Sequence, residues 1–185
     1  LVGNKKNIPV IEFAYQGPML KLNGEKIYFA ISGDVNFNII RKDLKIEKGK
    51  CYQTYCLEND ERLDILSTNK TVYGYLAIKD GFDIKPFWNS YSTNTKAKIG
   101  PNDGKKFTEG DIVPLLKSDI GVLNKKINYI NTKIEKIRVI IGTNYNYFSE
   151  EGKNFFFSES FYVSKLTDRM GMRLEGPKIE NIVNT

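Results

Sequence analysis

Between residues 9 and 78 the chain breaks into short runs rich in β-branched and aromatic residues, at 9–15, 19–22, 26–31, 51–57, 62–66 and 71–78. Turn residues separate them, which is the pattern of consecutive strands. Asn23-Gly24, Ser32-Gly33-Asp34 and Asp80-Gly81 are turn marks, and Asn23-Gly24 predicts a hairpin because both residues tolerate positive φ. Glu47-Lys48-Gly49 and Thr108-Glu109-Gly110-Asp111 are two similar turns. Strands this short and closely spaced predict a mainly β fold, barrel or sandwich.

The rest of the chain is less regular. A long polar loop covers 89–106, and loops of that length in compact domains often carry function. Residues 112–116 close a first β-rich lobe, 1–117. A Lys-rich connector follows at 118–136, read as helical in part, and a second lobe begins at 137–185. In that lobe 138–141 reads as a buried strand, and Ser149 as a helix N-cap with Glu150 and Glu151 in the first turn. Phe155-Phe156-Phe157 is expected to be core, and 161–163 a strand. The stretch after Gly176-Pro177 has no visible partner. One strand, one helix and two further strands make a poor core, so this lobe reads as incomplete.

Composition excludes several chemistries. There is no histidine, so no Ser-His-Asp or Cys-His arrangement and no His-ligated metal site can come from this chain. Cys51 and Cys56 are five apart, on opposite faces of a strand, and read as free thiols of a reducing cytoplasm. The net charge is +6, yet only five basic residues are arginine and the lysines are spread along the chain. That is a solvated lysine surface and not a nucleic-acid footprint. No apolar run approaches the roughly 20 residues of a membrane helix.

The run Thr167-Asp168-Arg169-Met170-Gly171-Met172-Arg173-Leu174-Glu175-Gly176-Pro177 is the one specific motif. It resembles the signature of the KipA-like family, also known as allophanate hydrolase subunit 2 or the C component of 5-oxoprolinase. The same module forms the carboxyltransferase domain of urea carboxylase. Weaker motifs are collinear with it. They include Leu1-Val2-Gly3-Asn4, Ile31-Ser32-Gly33-Asp34, Gly74-Tyr75-Leu76-Ala77-Ile78 and Gly110-Asp111-Ile112-Val113-Pro114. Asn89-Ser90-Tyr91-Ser92-Thr93 stands where the family has G-S-R-S-T, so Asn and Tyr replace its Gly and Arg. The family's segments before L-V-G-N and after the G-P have no counterpart here, which reads as the middle of a larger protein.

The resemblance implies a cyclophilin-like β-barrel in two lobes, and one component of a multi-subunit, ATP-dependent amide-processing enzyme. The chain itself holds no cofactor on this reading. ATP sits on a partner subunit, and carboxybiotin takes part in the urea carboxylase version. The implied partners are a KipI-like subunit, which resembles the B component of 5-oxoprolinase, and a third subunit. The implied substrate is a small amide or carboxylate. An alternative is a regulatory module that pairs with a KipI-like protein without catalysis of its own.

The candidate substrate-binding residues are Asp168, Arg169, Gly171 and Arg173, with Ser90, Ser92 and Thr93. Two arginines converging on one oxyanion would stabilise carboxylate or enolate charge, and Gly171 would allow close approach. The competing reading is structural. Asp168-Arg169 locks the turn, Arg173 pairs with Glu175, and the loop hydroxyls satisfy their own backbone.

Overall fold

A computed structural model of the chain describes residues 1–117, 121–128, 130 and 134–183. The chain divides into two compact units, Leu1–Asn131 and Thr132–Thr185.

Unit 1 is built from eight strands: β1 Ile11–Ala14, β2 Met19–Lys21, β3 Ile27–Ser32, β4 Val35–Ile40, β5 Ile46–Lys48, β6 Thr54–Leu57, β7 Arg62–Thr68 and β8 Tyr73–Ile78. They form two antiparallel sheets, ordered β1-β8-β3-β6 and β2-β7-β4-β5. The mainly β expectation holds, but the sheets do not close into a continuous barrel.

Alternation decides what faces inward. Val35, Phe37 and Ile39 of β4 are buried while Asn36, Asn38 and Ile40 are only partly so. In β8 the buried set is Gly74, Leu76 and Ile78. The two sheets share one core, in which Phe29, Phe37, Ile31, Ile39, Leu63, Ile65 and Leu76 are fully enclosed. Phe29 of one sheet meets Phe37 of the other edge to ring at 6.3 Å, and Tyr55 stacks on Phe29 at 5.8 Å. Sheet-on-sheet burial of this kind is the main stabilising term of a two-layer β fold.

Gly33 turns the chain from the first sheet to the second. Its φ is +109°, and a side chain there would press on the Tyr73 carbonyl at 2.9 Å. Its N–H donates to the Tyr52 hydroxyl, and the next N–H, of Asp34, donates to Thr71 Oγ1. At the far end of β4, Arg41 holds the second sheet to the β6–β7 turn. It donates to Glu47 Oε2, to the Cys56 carbonyl and, at 2.8 Å, to the buried Glu61 carboxylate. Glu61 also accepts from the Glu58 N–H at 2.9 Å, so this buried charge is paired and hydrogen-bonded, as burial requires.

Several expectations need correction. Asn23-Gly24 is not a hairpin, because β2 pairs with β7 and β3 with β6 and β8, in different sheets. Gly24 instead donates its N–H to Asn59 Oδ1. β4 and β5 are strands that the runs above do not include, and β5 takes in Glu47-Lys48 of an expected turn. In the stretch read as a connector, residues 118–120, 129 and 131–133 lie outside the described residues. None of its described residues is helical. Residues 125–127 run extended beside the start of β6, with Thr54 N–H donating to the Lys125 carbonyl and Ile127 N–H to the Tyr52 carbonyl, both at 2.9 Å.

Unit 2 contains helix α1, Glu150–Ser158, and the hairpin of β9 Tyr162–Asp168 with β10 Gly171–Glu175. Ser149 caps α1 by accepting the Gly152 N–H at 3.0 Å, as its position predicts. Residues 138–141 are not a buried strand. They lack strand pairing, and Ile140 and Ile141 are exposed. Phe156 and Phe157 are exposed rather than core, because no second layer of this unit covers them. The last residues do have a partner: Ser149 N–H donates to the Glu180 carbonyl and Ile182 N–H to that of Tyr147.

Candidate functional site

The specific motif folds as the β9–β10 hairpin. Asp168 lies opposite Gly171, leaving Arg169-Met170 as a two-residue turn. The Asp168 Oδ1 accepts the Met170 N–H at 2.7 Å, so the carboxylate shapes the turn that displays Arg169. Met172 pairs with Thr167 and Leu174 with Val163, and the register shifts between them, at Arg173. Irregularities of this kind re-aim side chains at functional edges. Opposite the shift, Ser164 accepts the Leu166 N–H on Oγ, while its carbonyl accepts the Thr167 hydroxyl. Every residue of β10 is exposed, and nothing lies within 4 Å of where a Gly171 side chain would begin. The hairpin thus carries two guanidinium-bearing residues four positions apart, beside an uncovered glycine. Charge-assisted bonds from guanidinium suit carboxylates and developing oxyanions.

Ser90, Ser92 and Thr93 belong to the long loop of unit 1, so the candidate residues form two groups, one on each unit. Ser90 Oγ accepts the Ser92 N–H at 3.1 Å, and the Thr93 hydroxyl donates to the Pro101 carbonyl at 3.2 Å. Two of the three hydroxyls therefore hold the loop's own backbone. Gly100 packs against this segment with φ +121°, and a side chain there would strike the Ser92 carbonyl at 2.5 Å. Asn94 and Ile99 close the inner turn through reciprocal main-chain bonds of 2.8 and 3.1 Å.

Two concavities of unit 1 are lined in part by the long loop and by the Gly110–Pro114 motif. One, about 570 Å³, is lined by Lys98, Lys105, Lys106, Asn102, Asp103 and neighbours. Its signal in the sequence is the basic run beside Pro101-Asn102-Asp103-Gly104. The other, about 660 Å³, has an apolar floor including Phe29, Leu63 and Leu76, and Lys21, Lys26 and Lys117 among its lining residues. Gly110-Asp111-Ile112-Val113-Pro114, one of the collinear motifs, is part of its lining, whereas its floor residues are ordinary strand residues.

The remaining chemistry is narrow. Burial pushes the Cys51 and Cys56 thiols above their ordinary pKa, so both stay protonated and weakly nucleophilic near neutrality. Among the described residues no group of three or more Asp, Glu, Cys or His side chains could hold a metal ion. Nor is any described helix long and apolar enough to cross a membrane.

The comparisons with known proteins agree with the motif. Residues 1–185 match the family model of the carboxyltransferase domain, subdomain A and B. The chain is 25% identical to the C component of 5-oxoprolinase from Haemophilus influenzae over 185 residues, covering 97% of this chain and 56% of that protein. It is 29% identical to urea amidolyase of Lachancea kluyveri over 197 residues, covering 96% of this chain and 10% of that protein. Among solved structures, TTHA0988 superposes with a TM-score of 0.79 at 26% identity, over 97% of this chain and 64% of that one. The Kluyveromyces lactis urea amidolyase shares the fold, with a TM-score of 0.77 at 20% identity over 98% of this chain and 12% of that one. The chain spans a little over half the length of the oxoprolinase relatives it matches. By the match along its full sequence, this chain belongs to the carboxyltransferase-domain family, subdomain A and B.

Proposed function

We propose that this chain is a component of an ATP-dependent amide-processing enzyme, equivalent to the C component of 5-oxoprolinase. It acts with a KipI-like subunit and a third subunit, one of which handles ATP. The observation that carries this reading is the family match over residues 1–185, with two proteins named as the C component of 5-oxoprolinase aligned over nearly the whole chain. The chemistry of the β9–β10 hairpin supports it. 5-Oxoproline offers a carboxylate and a cyclic amide, and Arg169 and Arg173 are suited to anionic oxygen. Carboxybiotin, on the urea carboxylase version of this reading, presents a similar carboxylate to the same two arginines. The half-buried, protonated thiols fit a reducing cytoplasm.

A second reading is a regulatory module that binds a KipI-like protein without turnover. Tyr91, which stands where the family's loop carries an arginine, favours a protein without turnover, whether such a module or a divergent β-barrel with no chemistry.

The test is ATP-dependent glutamate release from 5-oxoproline by the protein mixed with both partner subunits. Turnover is expected, and Arg169→Ala is expected to lower it about a hundredfold or more while the fold is kept. Complex formation without glutamate release in the wild type would overturn the 5-oxoprolinase reading in favour of the regulatory module, or of carboxyl transfer to another amide.

A further inference from the structure

Phe87 and Ser90 exchange both main-chain hydrogen bonds, at 2.8 and 2.9 Å, which leaves Trp88 and Asn89 as the two residues of a tight turn. Both are left-handed, with φ of +48° and +60°. Asn and Gly fill such turns readily, whereas a bulky aromatic at positive φ is an outlier. Trp88 is nonetheless the first residue of the turn, with 80% of its surface exposed, and its ring lies 4.8 Å from that of Phe87, itself 41% exposed. Tyr15, Leu44 and Tyr52 are likewise at positive φ, so it is the uncovered indole, set on a closed two-residue turn, that marks this tip. The surrounding segment, 85–106, has five lysines (85, 96, 98, 105 and 106) and a single carboxylate, Asp103.

We infer that the Phe87–Trp88 tip anchors the chain to a partner protein, inserting the indole into an apolar slot ringed by carboxylates. The partner is the KipI-like subunit, so the inference rests on the function proposed above and adds the surface that makes the contact. Tryptophan is the residue most enriched at the energetic centres of protein interfaces, and the lysines supply the charge that steers an acidic partner. A single indole on a rigid two-residue turn suits a preformed pocket. Single-stranded nucleic acid is bound by a row of stacking aromatics along a basic groove, and membrane surfaces by long amphipathic helices. The segment 85–106 has no α-helix.

Trp88 is the one tryptophan of the chain, so the emission difference between wild type and Trp88→Phe isolates it. Binding of the KipI-like subunit is expected to shift that emission to the blue. Trp88→Ala and Trp88→Asn are each expected to weaken the complex by about 30-fold, and raised salt to slow association. Trp88→Asn relieves the turn, so its melting temperature is expected to rise by about 2 °C while binding falls. That opposition of signs separates a binding role from a structural one. If the complex forms with unchanged affinity in both variants, the anchor is overturned and the proposed function stands. If the wild type forms no complex, both fall. A blue shift on phosphatidylcholine–phosphatidylserine vesicles, or on single-stranded DNA, without one on the KipI-like protein would overturn the protein-docking inference in favour of that surface.

Discussion

Phe29 and Phe37 in unit 1 and Phe156 and Phe157 in unit 2 are both edge-to-ring pairs, at 6.3 and 5.1 Å. The first pair is sealed from solvent and the second is 44% and 66% exposed. Aromatic contact alone therefore does not make a core. Unit 1 sets one sheet against another, so the inward residues of both sheets share one core, with Phe37 of β4 against Phe29 of β3. Unit 2 sets a single helix and a two-stranded hairpin, and among its described residues no apolar side chain is buried. A layer stabilises only when a second layer covers it.

The widest gap between the units is expected from truncating these rings. Phe29→Ala should destabilise unit 1 by about 3–5 kcal/mol, the loss of a large buried side chain plus its cavity. Phe157→Ala should change stability by about 0.5 kcal/mol or less, as for exposed positions. Urea unfolding of both variants measures this, and an equal cost at Phe157 would break the comparison by showing that ring to be covered in the protein.

A smaller effect sharpens the contrast. Ser149→Ala removes the α1 cap and should cost about 1 kcal/mol. Amide hydrogen exchange should quicken along Glu150–Ser158 and stay unchanged in β3 and β8. Slowing or quickening in both places would mean that the two units unfold as one.

The smallest effect is one of pH. Both thiols lie in unit 1, and burial raises their pKa in the folded state. The unfolded chain then loses these protons first, so the stability tied to the neutral thiols is complete below the ordinary thiol pKa. It is lost as pH rises through the raised folded value. Exchange in β3 and β8 should therefore quicken over that alkaline window, and Cys51→Ser with Cys56→Ser should remove the thiol-dependent part of the change.

Much of unit 1 is legible in the sequence because β-branched and aromatic runs with turn residues between them report strands directly. Particular residues explain the failures. Val35-Asn36-Phe37-Asn38-Ile39 has a clear two-residue alternation, which reports β4 only when periodicity is set above the low strand preference of asparagine. β5 is a short strand at the sheet edge rich in charge, where composition looks like a turn. Asn23-Gly24 shows that turn chemistry is local while pairing is not. The chain bends there, yet its two strands join different sheets. Val139-Ile140-Ile141 is as apolar as any strand, but a strand exists only with an edge to pair with. At the candidate site the Asp168 turn is readable from residue types. The exposure and backbone of Trp88 are not, since both depend on how the loop closes.

The pairing of 125–127 with Tyr52 and Thr54 has a mechanical consequence. Where the chain leaves unit 1 it is stitched to the sheet by main-chain bonds from Thr54 and Ile127, with the Thr54 hydroxyl bonded to the same Lys125 carbonyl. A tug arriving along the backbone from residues beyond Ile127 loads this short seam before it reaches β6.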